Sequence, residues 1–440
     1  MTFQHDERAE RAPVGQPARA ALAAFVGTTI EWYDFYLYAT ASALIFGKLF
    51  FPSGDAFFST LASFGTFAVG FFARPFGGLV FGHLGDRVGR KKALVATLVI
   101  MAVGTVGIGL LPTYAQAGAV ALVALRIAQG IAIGGEWGGA VLMASEHASA
   151  DRRTFVASFA QLGSPAGLIL ALLAFRLVAG IEHDAFLAWG WRLPFLASAA
   201  LLVVGLAIRA GVDESPEFAR VKAQRRTAAL PVADVVRDAW RTLLLCLGAN
   251  VIGVAGAWFV NTFMLNYTTQ TLGLDRALIL DCLFVVAFIQ LGTQLASGWF
   301  AQRIGTGRFL TAAAALAIAS PYPMFALVST GRPVAIVVGI AIAVMCMSSS
   351  YAVMAGFMST AFDVRVRYSA ISLSYQLCAA LAGGLTPLAG TLLAHRFAGQ
   401  WWPLAAFYSA LAVVSLACIA TLERGKRVGV GERRGALAKP

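Results

Sequence analysis

Two carboxylates lie three residues apart inside the first long apolar segment of the chain. Glu31 and Asp34 share one face of a helix with Gly27 and Tyr38. Each charged side chain at the centre of a bilayer costs about 2.5 kcal/mol or more on insertion scales. Because two carboxylates this close do not both ionise in a medium of low dielectric constant, one should bind and release a proton near neutral pH. We expect proton coupling here, with Asp34 as first choice; the alternative is that both side chains hold the helix against a neighbour.

Two arginines also lie inside apolar segments. The guanidinium group of Arg126 can bind a carboxylate through two parallel hydrogen bonds, which suits an organic-acid substrate. Its other possible role is that of a fixed partner for Glu31 or Asp34, and the two roles can alternate if substrate displaces the internal carboxylate. Arg74 precedes Pro75 and a pair of glycines, so a buried ion pair and a substrate contact are equally good interpretations there.

A third carboxylate, Glu136, lies ten residues after Arg126 in the same apolar segment. On an α-helix this spacing places the two side chains about 80° apart, so they do not share a face. The glycines around Glu136 allow a neighbouring helix to approach closely, or allow an unwound turn. We expect Glu136 to serve packing and gating first and proton coupling second.

The second half of the chain carries uncharged polar side chains within its apolar segments. Any one of them is explained more simply by a hydrogen bond between helices than by a ligand, although as a set they could bind hydroxyl groups. Aromatic residues are expected mostly to face lipid or its interface, and Asp281 to be solvated. The polar residues in question are Asn261, Asn266, Tyr267, Gln290, Gln294, Ser349, Tyr351, Tyr375 and Gln376. The predicted substrate contacts are Arg126, Gln129, Tyr38, Arg74, Asn261, Tyr351, Tyr375 and Gln376.

Histidine and cysteine do not form a catalytic or metal-binding pattern. The five histidines lie in loops or at segment ends, and the five cysteines all fall in apolar runs without metal-ligand spacing. A membrane-embedded enzyme would need a nucleophile–base pair or a metal cluster at the membrane centre. We therefore expect no catalytic residues, no metal and no cofactor apart from a coupling proton.

These side chains must be positioned by membrane-spanning helices. The chain is 59% hydrophobic and 13% charged, about half the charged fraction of a soluble domain. Apolar segments of about 20 residues, in which a helix satisfies its own backbone groups, recur along the chain. They predict an all-α membrane protein with twelve spans: 20–46, 57–82, 92–112, 117–145, 154–178, 190–210, 242–271, 277–301, 309–329, 333–358, 368–393 and 402–422.

The distribution of positive charge predicts the orientation. Of the 34 lysines and arginines, 26 fall on the side that holds both termini and four in the loops opposite. This bias places both termini in the cytoplasm and also explains the net charge of +12 without nucleic acid. The predicted organisation is a cytoplasmic tail at 1–19, a six-helix bundle at 20–210, a linker at 211–241, a second six-helix bundle at 242–422 and a cytoplasmic tail at 423–440.

A hydrophilic stretch at 82–92 separates the second and third spans and is predicted to turn sharply at Gly85 and Gly89. The second half contains a decayed copy, which indicates that the two halves are repeats. Spans five and eleven each carry a predicted glycine–proline break, at 163–167 and 384–387. The residues of the stretch and of its copy are Gly82, Asp86, Arg87, Gly89 and Arg90, matched by Gly298, Gln302, Arg303, Gly305 and Thr306.

The stretch at 82–92 resembles the loop marker of the major facilitator superfamily. Further stretches resemble its metabolite:proton symporter branch, with shikimate-type transporters closest: 27–36 (GTTIEWYDFY), 70–78 (GFFARPFGG), 126–130 (RIAQG), 134–139 (GGEWGG), 190–195 (GWRLPF) and 214–218 (ESPEF). The resemblance implies two pseudo-symmetric six-helix bundles, with substrate held near the membrane centre between them. It also implies that the loop residues Asp86 and Arg90 act as a cytoplasmic gating latch.

Members of that branch carry α-ketoglutarate, citrate, shikimate, or proline and betaine, so the resemblance leaves the substrate open. The leading expectation is proton-coupled uptake of a small hydrophilic metabolite, an organic acid such as shikimate or a dicarboxylate, by alternating access. The alternatives are a proline or betaine symporter, an efflux antiporter for drugs or metabolites, and a passive facilitator. We further expect a monomer in a bacterial inner membrane, with a small-molecule substrate, protons and lipids as its partners.

Overall fold

The computed structural model describes residues 16–88, 90–113, 118–146, 153–210, 237, 239–359, 361–362 and 367–437. These residues are nearly all helical, and their twelve helical elements coincide with the twelve predicted spans. The elements are α1 (16–50), α2 (Ala56–Val88), α3 (Arg90–Leu110), α4 (Gly118–Glu146), α5 (Arg153–Ala179), α6 (183–210), α7 (240–271), α8 (Arg276–Ile304), α9 (306–328), α10 (Pro333–Ser359), α11 (367–396) and α12 (Trp402–Leu437).

Most of these helices can cross a membrane by length and composition. Within the described residues, nine are long and apolar enough, and α9 makes a tenth if its two parts count as one span. Those parts, Thr306–Ala319 and Pro321–Val328, are bent by 41° at Ser320. Helices α1 and α4 are the two that this count leaves out. The described side chains of α4 end at Gly134, and α1 carries two buried carboxylates. The chain is therefore a multi-pass, all-α membrane protein.

The helices form two six-helix halves that repeat one packing scheme. In the first half α1 packs on α5, α2 on α4 and α3 on α6. The second half repeats these pairs six helices later, as α7 on α11, α8 on α10 and α9 on α12. The halves meet where α2 packs on α11 and where α5 packs on α8. These two contacts are equivalent by symmetry, because α8 corresponds to α2 and α11 corresponds to α5. The two bundles are thus pseudo-symmetric, as the sequence repeat predicts.

Among the described residues, four helices contain turns of π-helix, in which the backbone hydrogen bonds are shifted by one residue. The proline at 387 in α11 follows such a turn, Ala379–Gly383, which ends four residues before it. Proline lacks an N–H and displaces the carbonyl group four residues before it. The π-helical turn accommodates this change, so α11 continues through Pro387 where a break was predicted. The other π-helical turns are Ser42–Phe46 in α1, Phe186–Gly190 in α6, and Phe259–Phe263 and Tyr267–Thr271 in α7.

In α5 the predicted break is absent, because the helix is continuous through Pro165. The neighbouring glycines serve close packing instead. A Cβ atom at Gly163 would lie 2.7 Å from the Cβ of Thr28, and one at Gly167 would lie 2.6 Å from the backbone nitrogen of Tyr33. Helix α1 therefore approaches α5 closely along the segment that carries its two carboxylates.

The structure differs from the predicted loop at 82–92. Helix α2 continues to Val88 and α3 begins at Arg90, so Gly85 is helical rather than part of a turn, and the turn predicted at Gly89 lies outside the described residues. A helix that extends beyond the lipid still satisfies its own backbone groups, so charge alone does not mark its end. In the second copy of the motif, Gly305 caps α8 with φ of 93°, a conformation that favours glycine. Helix α12 likewise runs on to Leu437, through most of the predicted tail.

Candidate substrate site

A narrow cavity lies between the two halves, where α1, α2 and α5 face α7, α8, α10 and α11. It admits the centres of water-sized spheres over about 10 Å³, which is about the room for one water molecule. A substrate would therefore need a wider conformation of the same walls. The cavity is lined by Trp32, Arg74, Ser164, Gly253, Val254, Ala257, Trp258, Gln290, Met347, Tyr351 and Tyr375.

The charged group in the cavity wall is Arg74, which forms an ion pair with Glu31. The Arg74 Nη2 and Glu31 Oε1 atoms are 3.9 Å apart, and both side chains are buried. The guanidinium group also lies 5.1 Å from the ring centroids of Phe35 and Phe71. A guanidinium group binds carboxylates of any origin, so the cation that pairs with Glu31 is also suited to a carboxylate that enters the cavity.

Arg126 lies inside the first half rather than in the cavity wall. Its guanidinium carbon is 4.1 Å from the ring centroid of Phe35 and 4.2 Å from that of Tyr38. Its Nη1 donates to Gln129 Oε1 at 3.3 Å, and Gln129 Nε2 donates to Thr105 Oγ1 at 2.8 Å. Within the part of the chain that the structure describes, Arg126 Nε and Nη2 make no hydrogen bond. Arg126 and Gln129, both predicted substrate contacts, are thus one turn apart in the interior of the bundle.

Asp34 is fully buried on the side of α1 that faces α6. Its Oδ1 accepts a hydrogen bond of 2.8 Å from Ser198 Oγ. The adjacent Tyr33 donates to the Pro194 carbonyl oxygen at 2.7 Å, which fixes α1 against α6. Asp34 also interacts electrostatically with Arg126. Sequence reasoning missed Ser198, although a serine in the middle of an apolar span was the available signal.

Tyr38 holds the cation of Arg126 and does not line the cavity. Its hydroxyl donates to Thr66 Oγ1 at 2.6 Å, since Thr66 itself donates to the Ser63 carbonyl oxygen at 2.7 Å. These bonds fix the ring orientation that places its face against Arg126. The aromatic face, rather than the hydroxyl group, is therefore what Tyr38 contributes to this cluster.

In the second half, Tyr351 and Tyr375 line the cavity with their hydroxyl oxygens 3.2 Å apart. Asn261 lies beside the cavity, and its Nδ2 donates to Oε1 of the lining residue Gln290 at 3.4 Å. Gln376 Nε2 instead donates to the Gly134 carbonyl oxygen at 3.1 Å and so joins α11 to α4 across the halves. The structure brings two of the four predicted residues of this half to the cavity, with a third one hydrogen bond away.

Aromatic residues at the centre depart from the expectation that they face lipid. Trp258 of α7 stacks on Trp32 of α1, with ring centroids 5.9 Å apart and planes at 21°. The ring of Tyr36 lies 5.2 Å from that of Trp258. Each of the three is at most 6% exposed. The available signal for Trp258 was its place among small residues of α7, which leave room for a ring to cross between the halves.

Contacts between the halves also lie at the end of the bundle where α5 ends and α8 begins. Asp281, predicted to be solvated, is about half exposed but forms an ion pair with Arg176. The Arg276 guanidinium group donates to the Ala179 carbonyl oxygen at 3.1 Å. Together these contacts hold α5 against α8 at that end. Two further contacts there are Asn266 Nδ2 donating to the Ala43 carbonyl oxygen at 3.1 Å, and His395 stacked on Phe57 at 3.8 Å.

Several predicted functional side chains fall outside the described part of the chain. The side chain of Glu136 is among them, although its backbone lies in α4. The same holds for the loop motif Gly82, Asp86, Arg87, Gly89 and Arg90, of which residue 89 is outside the described residues altogether.

Comparison with known proteins agrees with the fold and the motifs. The Major Facilitator Superfamily model matches residues 24–387. The chain is 35% identical over 404 residues to the shikimate transporter of Escherichia coli K12, covering 90% of this chain and 92% of that protein. It is 30% identical to the proline/betaine transporter of the same strain, covering 91% and 82% respectively. A solved structure of an E. coli xylose transporter, partially occluded and inward open, superposes with a TM-score of 0.72 at 17% identity, covering 92% of this chain and 98% of that one. The chain therefore belongs to the major facilitator superfamily, whose members are transporters and not enzymes.

Proposed function

We propose that this protein is a proton-coupled importer of a small organic anion that works by alternating access. The observation that carries the proposal is the Arg74–Glu31 ion pair, because its cation forms part of the cavity wall while both partners are buried. A buried cation at the membrane centre is costly unless it has a role or a partner. Here the partner is an exchangeable carboxylate.

The pair suggests how substrate and proton binding are linked. A substrate carboxylate that binds Arg74 displaces Glu31 from its cation. Glu31 is then buried without this cation, and burial favours the neutral form of a carboxyl group, so it binds a proton. Substrate and proton thereby enter together, and both are released when the cavity opens on the other side. Asp34 and Arg126, which interact electrostatically within the same half, are proposed to complete the proton path.

A proline or betaine symporter is the second candidate, and one specific observation favours it. The cavity wall contains the rings of Trp32, Trp258 and Tyr351. Aromatic rings attract quaternary ammonium groups through cation–π interaction, while Arg74 would bind the carboxylate of the same molecule. The 30% identity with a proline/betaine transporter supports this candidate as well.

The deciding experiment is uptake into proteoliposomes with an imposed pH gradient, inside alkaline. The panel contains shikimate, dicarboxylates, citrate, aromatic acids, proline and betaine. Accumulation of one acid that collapses on addition of a protonophore supports anion symport and names the substrate class. Accumulation of betaine or proline alone supports the second candidate. Solutes that only equilibrate would refute proton coupling, and accumulation only under the inverted gradient would indicate an efflux antiporter.

We also propose the orientation and the domain limits that the sequence predicts. Both termini would face the cytoplasm of a bacterial inner membrane, and the bundles would span 20–210 and 242–422 with a linker at 211–241. The excess of lysine and arginine on one side supports this orientation. Protease digestion of a C-terminal epitope tag in intact spheroplasts tests it, since a tag that is cleaved before lysis would contradict a cytoplasmic C-terminus.

A further inference from the structure

Phe35 is the aromatic ring that the two buried arginines share. The guanidinium carbon of Arg74 lies 5.1 Å from its centroid and that of Arg126 lies 4.1 Å from it. We propose that Phe35 is a positioning residue that transmits substrate binding at Arg74 to Arg126 and to the adjacent carboxylate, Asp34. This inference rests on the proposed function, because it assigns a coupling role to a residue that touches neither the substrate nor the proton.

The first argument concerns how the two cations are stabilised. Arg74 and Arg126 are 2% and 0% exposed, so neither is solvated by bulk water. Arg74 Nε, Arg126 Nε and Arg126 Nη2 make no hydrogen bond among the residues that the structure describes. Buried donors without partners are costly. The electron-rich faces of the surrounding rings therefore supply much of the stabilisation, and Phe35 supplies it to both groups.

The second argument concerns competition for one ring. Two cations near the same ring repel each other, and this repulsion is weakly screened in the interior. When a substrate carboxylate replaces Glu31 and draws Arg74 toward the cavity, the two cations move apart, their repulsion falls and Arg126 can approach Phe35 more closely. Asp34 immediately precedes Phe35 in α1, so a movement of Arg126 toward Phe35 also changes the distance from Arg126 to Asp34. Substrate binding thus changes the environment of a carboxylate that it does not touch.

The chain offers two matched controls. Of the two buried arginines, only Arg74 lies over the ring of Phe71, at 5.1 Å, among the described residues. Only Arg126 lies over the ring of Phe67, at 5.4 Å, within the same part of the chain. Both rings are fully buried, like that of Phe35. Replacing either one by leucine removes a buried ring and one cation–π contact but leaves the shared ring in place.

The experiment compares exchange with accumulation in proteoliposomes, using the acid that the unsubstituted protein accumulates. Counterflow at equal pH measures exchange, which needs no net proton movement. With one proton per substrate and a gradient of one pH unit, the limiting accumulation is about tenfold. Phe35→Leu should keep counterflow but lose accumulation, so that the ratio falls to about one, whereas Phe35→Tyr, Phe71→Leu and Phe67→Leu should keep the ratio.

The proposal is overturned if Phe35→Leu accumulates substrate like the unsubstituted protein. It is also overturned if the Phe71 or Phe67 variant loses accumulation to the same extent, or if exchange and accumulation fall together in correctly inserted protein. If Phe35→Leu does not insert, Phe35→Met is measured in its place, since it fills similar space without a ring. Failure of the unsubstituted protein to accumulate any acid would refute the proposed function itself, and it is recorded before any variant is made.

Discussion

Replacing Arg74 should weaken binding of an anionic substrate far more than replacing Arg126. Arg74 forms part of the cavity wall, whereas Arg126 is fully buried inside the first half. A hydrogen bond to a charged group contributes about 1.5 to 3 kcal/mol. Because every 1.4 kcal/mol is a tenfold change in affinity, Arg74→Gln should raise the KM for substrate about 10- to 150-fold. Arg126→Gln should change KM much less, although it can impair coupling.

Stability must be separated from affinity in this comparison, because Arg74→Gln also removes the cation that pairs with Glu31. Breaking a buried ion pair by removing one partner costs about 3 to 5 kcal/mol. The double variant Arg74→Gln/Glu31→Gln removes both charges and should regain most of that stability. It should nevertheless keep the raised KM, since no cation remains in that part of the cavity wall.

Counterflow measured against substrate concentration, at equal pH on both sides, gives the KM of each variant without the proton gradient. Thermal unfolding in detergent provides the stability of the same samples. The reasoning is refuted if the double variant binds substrate with unchanged KM. It is equally refuted if Arg126→Gln raises KM as much as Arg74→Gln does, because the cavity wall would then have been misidentified.

Three further predictions follow from single contacts. Asp34→Asn should abolish accumulation driven by a pH gradient while counterflow continues, and accumulation at the normal ratio would show that Asp34 carries no coupling proton. Gly77→Ala should lower the melting temperature, because its Cβ would overlap a backbone carbonyl of α4 and such overpacking costs about 1 to 3 kcal/mol. The control is Gly292→Ala, whose Cβ would meet no atom within 4 Å, and it should leave the melting temperature unchanged. Cysteines that replace Arg176 and Asp281, a pair that bridges the halves, should be joined by a bifunctional thiol reagent that spans the length of the two lost side chains, and the link should block transport. Undiminished uptake by fully cross-linked protein would contradict a moving gate there.

The positions of the helices could be predicted from sequence because the membrane imposes one dominant constraint. Every span must satisfy its own backbone groups in lipid, so apolar length alone locates it. The same constraint does not apply outside the lipid. For that reason the prediction missed the continuation of α2 to Val88 and of α12 to Leu437. The π-helical turns were missed because they depend on local contacts that hydropathy does not record.

The charged residues of the candidate site could be recognised from sequence, but not their arrangement, and Ser198 and Trp258 were missed. Charged residues in spans are rare enough that Glu31, Asp34, Arg74 and Arg126 all stand out. Which arginine meets which carboxylate depends on the rotation of each helix about its axis, and an apolar span carries little information about that rotation. Glycine contacts set it here: a Cβ at Gly134 would overlap the backbone of α2 at Arg74. Such a contact is visible only once both helices are in place.

The two halves contribute different kinds of polar group to the site. Within the described residues, every buried charged side chain belongs to the first half: Glu31, Asp34, Arg74 and Arg126. The second half offers neutral groups to the same cavity, the carboxamide of Gln290 and the hydroxyls of Tyr351 and Tyr375.

An anion bound between the halves should therefore place its carboxylate on the first half and its hydroxyl groups on the second. The halves would then close only around a substrate that contacts both of them, through its carboxylate and through its hydroxyl groups. An acid that lacks hydroxyl groups should accordingly bind to Arg74 without being transported efficiently, and it should act as a competitive inhibitor of the hydroxylated substrate. Transport of both acids at equal maximal rates would show that the second half does not contribute to recognition.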